Sequence, residues 1–240
     1  LMVAKEQKAS FVHEVFAQIA GQYDWKNSVL SFGQHKVWRA VAMRKLRVPP
    51  GARALDVAAG TGDWSLALAK AVGANGHVTG LDFCDDMLEV ARRKAAARGL
   101  ADRISWVHGD AMALPFPDDT FDVATIGFAL RNVPDVVQVL REMRRVVKPG
   151  GKVVSLELSK PEWPVFRELY YFYFYKVVPR LGAWLVGKEV PYAWLPASLT
   201  DFPDRRGLEQ RFREAGLTRV VSYALTGGVA ALHMGWKDEG

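Results

Sequence analysis

Three positions along this chain have residue types and spacing that could hold a nucleoside. Gly60, Thr61 and Gly62 follow Leu55-Asp56-Val57-Ala58-Ala59 and precede Asp63-Trp64-Ser65-Leu66-Ala67-Leu68-Ala69, a run with helical character. A strand–glycine turn–helix unit presents backbone N–H groups and lets a ligand come close where a Cβ would stand. Twenty residues after Gly62, Asp82 ends the apolar run Val78-Thr79-Gly80-Leu81. A carboxylate there can accept hydrogen bonds from both ribose hydroxyls of an adenosine. Asp110 and Ala111 follow the next strand-like run; the carboxylate can accept from an adenine amino group, and the next backbone N–H can donate to a ring nitrogen. Each position also has a plain structural reading, as a tight turn or an N-cap aspartate. Their succession at the carboxyl ends of consecutive strands favours a ligand. Ser65 stands where a dinucleotide G-x-G-x-x-G would place its third glycine. So short a turn suits a small amino-acid moiety better than a pyrophosphate.

A fourth strand-like run ends in Gly127-Phe128-Ala129-Leu130-Arg131-Asn132-Val133. A glycine, an aromatic, an arginine and an asparagine crowded at a strand's carboxyl end point to a site; the structural alternative is a surface ion pair. Tyr170 to Tyr175 are six consecutive aromatics. No face of such a helix is polar, so it is expected to be buried, to touch an apolar ligand, or both. The five histidines are scattered without metal-ligand spacing, and no metal is expected. Arg92-Arg93-Lys94 and Arg144-Arg145 sit at helical spacing and are expected to face solvent.

The elements that must hold these residues alternate. Strands are expected at 53–57, 77–82, 104–108, 121–126 and 152–157, with helices near 63–72, 85–98 and 136–147. That order implies an α/β fold, a parallel sheet with helices on both faces. Lys148-Pro149-Gly150-Gly151 reads as a helix stop and tight turn. Before the core, residues 10–20 and 34–46 read as amphipathic helices, forming an N-terminal helical cap over 1–50. The cofactor-binding core spans 51–160. An aromatic lid insertion follows over 161–204, then a helix near 209–216 and two strands joined around Gly227-Gly228 within 205–240. The hairpin makes the last strand antiparallel to the rest.

With 240 residues, 50% hydrophobic and 24% charged, the chain can bury a sizeable single core. A formal net charge of +6 favours an anionic surface, and no Lys/Arg run resembles a nucleic-acid patch. Cys84 is the sole cysteine, so no internal disulfide or thiolate cluster can form. No signal-like N-terminus and no spanning helix are expected, which fits a cytoplasmic protein.

The loop Leu55 to Asp63 resembles motif I of class I S-adenosylmethionine-dependent methyltransferases, with Ala58 where many members have Gly. A sharper resemblance lies in Ile19-Ala20-Gly21-Gln22-Tyr23-Asp24, Asn27, Leu30-Ser31-Phe32-Gly33, His35, Trp38-Arg39, Ala113 to Asp118, Phe128 to Val133, Leu158-Ser159-Lys160-Pro161 and Leu225 to His233. These segments resemble the menaquinone/ubiquinone biosynthesis C-methyltransferases (the UbiE/MenG type). The resemblance implies a Rossmann-like seven-stranded sheet with its last strand antiparallel. It implies S-adenosyl-L-methionine as co-substrate and no metal. It implies methylation of a ring carbon of a reduced prenylated quinone, demethylmenaquinol or a ubiquinol precursor. Thr61, Asp82, Asp110 and Ala111 fall on its cofactor positions, and Gly127 where some members have a cofactor-contacting Ser. Arg131, Asn132 and Tyr23 are then expected to polarise the quinol hydroxyl. The protein is expected to meet the inner face of an anionic membrane transiently; a homodimer stays open. The alternatives are another small-molecule methyltransferase, or a non-catalytic S-adenosylmethionine-binding subunit of a quinone-synthesis assembly.

Overall fold

The computed structural model describes Asp24, Ser28 and residues 31–177, 198–200 and 202–239. The helix expected over 10–20, and residues 178–197 and 201 of the aromatic insertion, lie outside the described residues. From Gln34 the elements run in chain order: α1 (Gln34–Leu46), β1 (Arg53–Val57), α2 (Asp63–Val72), β2 (His77–Asp82), α3 (Asp85–Ala97), β3 (Ile104–His108) and β4 (Phe121–Gly127). They continue with α4 (Val136–Val146), β5 (Val147–Leu158), α5 (Pro164–Phe172), α6 (Arg205–Glu214), β6 (Thr218–Leu225) and β7 (Ala230–Trp236).

Apolar strand runs pair into one seven-stranded sheet in the order β3-β2-β1-β4-β5-β7-β6. The strands β1 to β5 run parallel, and β7 lies antiparallel between β5 and β6. The order reverses between β1 and β4, and in a parallel sheet the crevice for a ligand opens at the carboxyl ends beside that reversal. Asp82 ends β2 at that end, and Gly60, Asp110 and Arg131 follow β1, β3 and β4 there.

Two elements differ from the sequence expectation. The segment Lys148-Pro149-Gly150-Gly151 is part of β5. Six residues, Val147 to Lys152, span the interval that the three residues Phe121 to Val123 cover on β4, so the strand bulges. Gly150 N donates to Lys237 O (2.9 Å) and Lys237 N to Gly151 O (3.0 Å). The bulge thereby meets its backbone hydrogen bonds from the C-terminal side, which sequence pattern cannot reveal. Second, α6 begins at Arg205, because the Asp204 side chain accepts from Gly207 N and caps it there.

Trp38, Ala42 and Leu46, four residues apart, place one face of α1 in the core. Trp38 Nε1 donates to Thr226 Oγ1 at 2.8 Å, joining α1 to the β6–β7 turn across 188 residues of sequence. Of the aromatic run, Tyr170 is buried, Tyr171 and Tyr173 pack half-buried on the same core, and Phe172 and Tyr175 are exposed.

Asp56, inside β1, was not singled out by its sequence. It is buried, and its carboxyl accepts from Ser65 Oγ (2.6 Å) on α2 and Thr125 Oγ1 (3.1 Å) on β4. One side chain thus fastens the helix after the glycine turn to both central strands. Burial pushes the Asp56 carboxyl up to about 6 from 3.8, the two hydroxyls acting the other way. A carboxyl raised on folding binds more protons in the native state. Its stabilising contribution is therefore full below the unfolded value and is lost as pH rises through about 6. Asp56→Asn, which imitates the neutral carboxyl, is expected to gain about 2 kcal/mol relative to the parent between pH 4 and pH 7.5. Urea unfolding at both pH values checks this; a difference that does not change with pH would mean that Asp56 ionises normally.

Candidate functional site

The turn after β1 turns on positive φ. Ala58, Gly60 and Gly62 have φ of 53°, 54° and 81°. For Ala58 that conformation costs about 1 kcal/mol, the consequence of a methyl where glycine would be free. A Cβ on Gly62 would lie 2.6 Å from the Trp106 ring and 2.9 Å from the Ala91 Cβ, so close packing demands glycine there. A Cβ on Gly60 would meet no atom within 4 Å. Gly60 therefore borders open space, a cradle that suits the backbone approach of a ligand.

Asp82, 5% exposed, closes that cradle from β2. Its Oδ2 accepts from Gly60 N (2.7 Å) and its Oδ1 from Cys84 N (2.9 Å). Burial raises its carboxyl above the ordinary range, and the N–H groups of Cys84, Gly60 and Phe83 work against that rise. A carboxylate offers about four acceptor sites, so two ribose hydroxyls can still be served. Asp110 is exposed beyond β3; its Oδ1 accepts from Met112 N at 2.8 Å, a turn contact of the aspartate with the backbone two residues on, and no helix follows for it to cap. Ala111 follows it, half-buried against the core. A Cβ on Gly127 would lie 2.7 Å from the Trp64 ring, so that glycine makes room for Trp64.

At the end of β4, Leu130 to Asn132 form one 3-10 turn in which Arg131 and Asn132 are both buried. The sequence left open a surface ion pair for Arg131. Its partner is instead buried: Glu157 on β5, 1% exposed. Arg131 Nη1 donates to Glu157 Oε1 and to Phe128 O (2.8 Å), and Leu158 N donates to Glu157 Oε1 (2.8 Å). Glu157 was legible only as a charge within the apolar run Val153 to Leu158, a residue in need of a partner that the sequence does not name. Aromatic rings line the same region. Trp38 and Phe128 centroids lie 6.1 Å apart and those of Phe32 and Tyr173 5.6 Å apart. Burial pushes the Tyr170 phenol up, with the Arg131 charge opposing. Tyr23 lies outside the described residues.

Lys94 corrects the expectation that Arg92-Arg93-Lys94 faces solvent. Arg92 and Arg93 are exposed, but Lys94 adjoins the buried stripe Met87, Ala91, Ala95 of α3 and turns inward. Its Nζ donates to Asp63 Oδ1 (2.6 Å), to Asp24 Oδ2 and to Thr61 Oγ1 (3.3 Å). Thr61 Oγ1 donates to Asp24 Oδ1 (2.5 Å), and Arg39 Nη1 donates to Asp63 Oδ2 (3.0 Å). Burial alone would raise the Asp63 carboxyl; the Arg39 and Lys94 charges and hydrogen bonds outweigh it and hold it below the usual range. Among the described residues no group of three or more His, Cys, Asp or Glu is arranged to hold a metal.

The ubiE/COQ5 methyltransferase family model matches residues 1–237. The chain is 52% identical over 233 residues to a demethylmenaquinone methyltransferase of Halalkalibacterium halodurans, covering 97% of this chain and 95% of that one. It is 52% identical over 234 residues to the demethylmenaquinone methyltransferase of Bacillus subtilis, covering 98% and 99%. Among solved structures it is similar in fold to an S-adenosylmethionine-dependent methyltransferase of Thermotoga maritima (TM-score 0.68, 18% identity, 94% and 99% covered). A second, from Aquifex aeolicus, has a TM-score of 0.61 at 20% identity, with 82% and 88% covered. On the sequence expectation that Asp82 receives a ribose, Asp82→Asn is expected to weaken S-adenosylhomocysteine binding by about 1–3 kcal/mol, since a charged acceptor is lost. Calorimetric titration reads this; unchanged affinity would remove Asp82 from the cofactor site.

Proposed function

The chain belongs to the ubiE/COQ5 methyltransferase family, and from that premise we propose that it methylates a ring carbon of demethylmenaquinol, using S-adenosyl-L-methionine. The observation that carries the proposal is the shared edge: the glycine cradle, Asp82 and the Arg131–Asn132 turn follow β1, β2 and β4, beside an aromatic wall. The near-full-length likeness to demethylmenaquinone methyltransferases supports the acceptor. When bound, the co-substrate supplies an already activated sulfonium methyl. The carbon–sulfur bond breaks, a carbon–carbon bond forms, and the ring carbon's proton leaves to solvent. The protein's own task is alignment and control of one quinol proton.

In this reading Gly60, Thr61, Gly62, Asp82, Asp110, Ala111 and Gly127 hold the co-substrate. Phe32, Trp38, Phe128 and Tyr173 enclose the ring and first isoprene units and exclude water. Arg131 and Asn132, with Tyr23, donate towards the quinol oxygen and favour its ionised form. Arg131 stays protonated and is no base; the proton passes to water. Because Glu157 neutralises Arg131, its contribution is a directed N–H donor more than a net field. Purified protein with labelled S-adenosylmethionine and reduced short-tailed demethylmenaquinone tests the proposal by product mass. A methylated ubiquinol precursor instead would move the acceptor and keep the chemistry.

Arg131→Leu is expected to lower kcat by about two orders of magnitude while S-adenosylhomocysteine affinity holds. Raising the pH is expected to restore part of the rate, as ionisation of the quinol becomes easier. Full turnover in both Arg131→Leu and Asn132→Ala would make the turn structural only. Among the described residues no helix is long and apolar enough to cross a membrane. Exposed Trp163, Phe172 and Tyr175 with the net charge of +6 support reversible docking on the cytoplasmic face of an anionic membrane. Co-sedimentation with anionic vesicles at low salt, lost at high salt, is the expected result; no co-sedimentation at low salt would rule the docking out.

A further inference from the structure

Lys94 has three N–H donors, and the structure spends all three: on Asp24, Asp63 and Thr61. None is left for a ligand, although the ammonium sits directly behind the glycine turn. Thr61 has one hydroxyl hydrogen and two lone pairs. The hydrogen goes to Asp24 at 2.5 Å, and one lone pair faces Lys94 at 3.3 Å. What remains on Thr61 is a single acceptor. Asp63, the first residue of α2, is held on both oxygens, by Lys94 and by Arg39. Lys94 is 18% exposed in its side chain and Asp63 24%, so these pairs are shielded and stronger than surface ones.

We propose that Lys94 is a positioning residue for the amino-acid end of the co-substrate, acting through Asp24 and Asp63 to fix the Thr61 hydroxyl as a hydrogen-bond acceptor. The donor that matches such an acceptor is the ammonium group of the co-substrate's amino-acid moiety. The nucleoside end, at Asp82 and Asp110, is served by residues that Lys94 does not touch. The inference rests on reading Gly60 to Gly62 as the cofactor cradle. Without the Lys94 charge, Asp24, which takes the Thr61 hydrogen, loses the cation beside it, Asp63 keeps Arg39, and the hydroxyl loses its fixed orientation.

Two ligands separate a positioning role from general damage to the turn. S-adenosylhomocysteine carries the amino-acid moiety; 5′-methylthioadenosine has the same nucleoside and thioether without it. Lys94→Met is expected to raise the calorimetric Kd for S-adenosylhomocysteine about tenfold or more and to leave that for 5′-methylthioadenosine within about twofold. Lys94→Arg, which keeps the charge, is expected to recover most of the loss. Thermal unfolding of each variant confirms that it is folded; should Lys94→Met fail to fold, Lys94→Gln is expected to show the same discrimination between the two ligands. Equal weakening of both ligands, or no change for either, would overturn the proposal. Failure of the unmodified chain to bind S-adenosylhomocysteine would instead overturn the cradle itself.

Discussion

One buried carboxylate holds the turns at the strands' carboxyl edge together. Asp82 ends β2, yet it takes a backbone N–H from the turn after β1 and another from the turn after β2. Removing a carboxylate from water is costly, and only such donors offset it. The same side chain therefore satisfies two turns that would otherwise leave N–H groups orphaned, and sets the spacing between them. Thr61 and Asp63 depend on the first turn, and Asp24 and Lys94 close on it from outside the sheet. The edge is thus built by polar groups on a frame whose apolar packing lies deeper, in the two faces of the sheet.

The second buried charge has a different logic. Arg131 and Glu157 are both nearly inaccessible, and a buried pair is weak evidence for stability, because desolvation consumes most of its attraction. Its value here is geometric. Glu157 also accepts from Leu158 N, so β5 fixes the acid and the acid fixes the 3-10 turn after β4. An arginine on a loop would sample many rotamers; held by its neighbour strand, it has one.

The sequence was informative where one residue type answers to one local rule. Regular alternation fixed the strands, glycines marked the turn, and the carboxylates at 82 and 110 lie where the strand ends put them. It was silent where the partner is distant. Asp56 is a lone acid in an apolar strand until Ser65 and Thr125 are seen beside it. Lys94 belongs to a basic triplet until Asp24, Thr61 and Asp63, tens of residues earlier, are seen to receive its ammonium. The bulge at Gly150 and Gly151 reads as a turn because the groups that meet its hydrogen bonds lie on Lys237, beyond β7. In each case the missing information is a contact across tens of residues, which local pattern does not contain.

The position of β7 has a consequence for how the chain comes together. Among the described residues β6 pairs in the sheet with β7 alone, and β7 must slip between β6 and the much earlier β5. Until it does, β5 presents an open edge and the α6–β6 segment has nothing to pair with. The far third of the sheet is therefore assembled by a non-local closure whose loop entropy must be met before any pairing is gained. In a chain emerging from its N-terminus, the turns after β1 and β2 are made before the strands that finish the sheet, and the Trp38–Thr226 bond that ties α1 to the closing turn needs both ends of the chain. Until that closure is made, the exposed β5 edge is open to pairing with another chain.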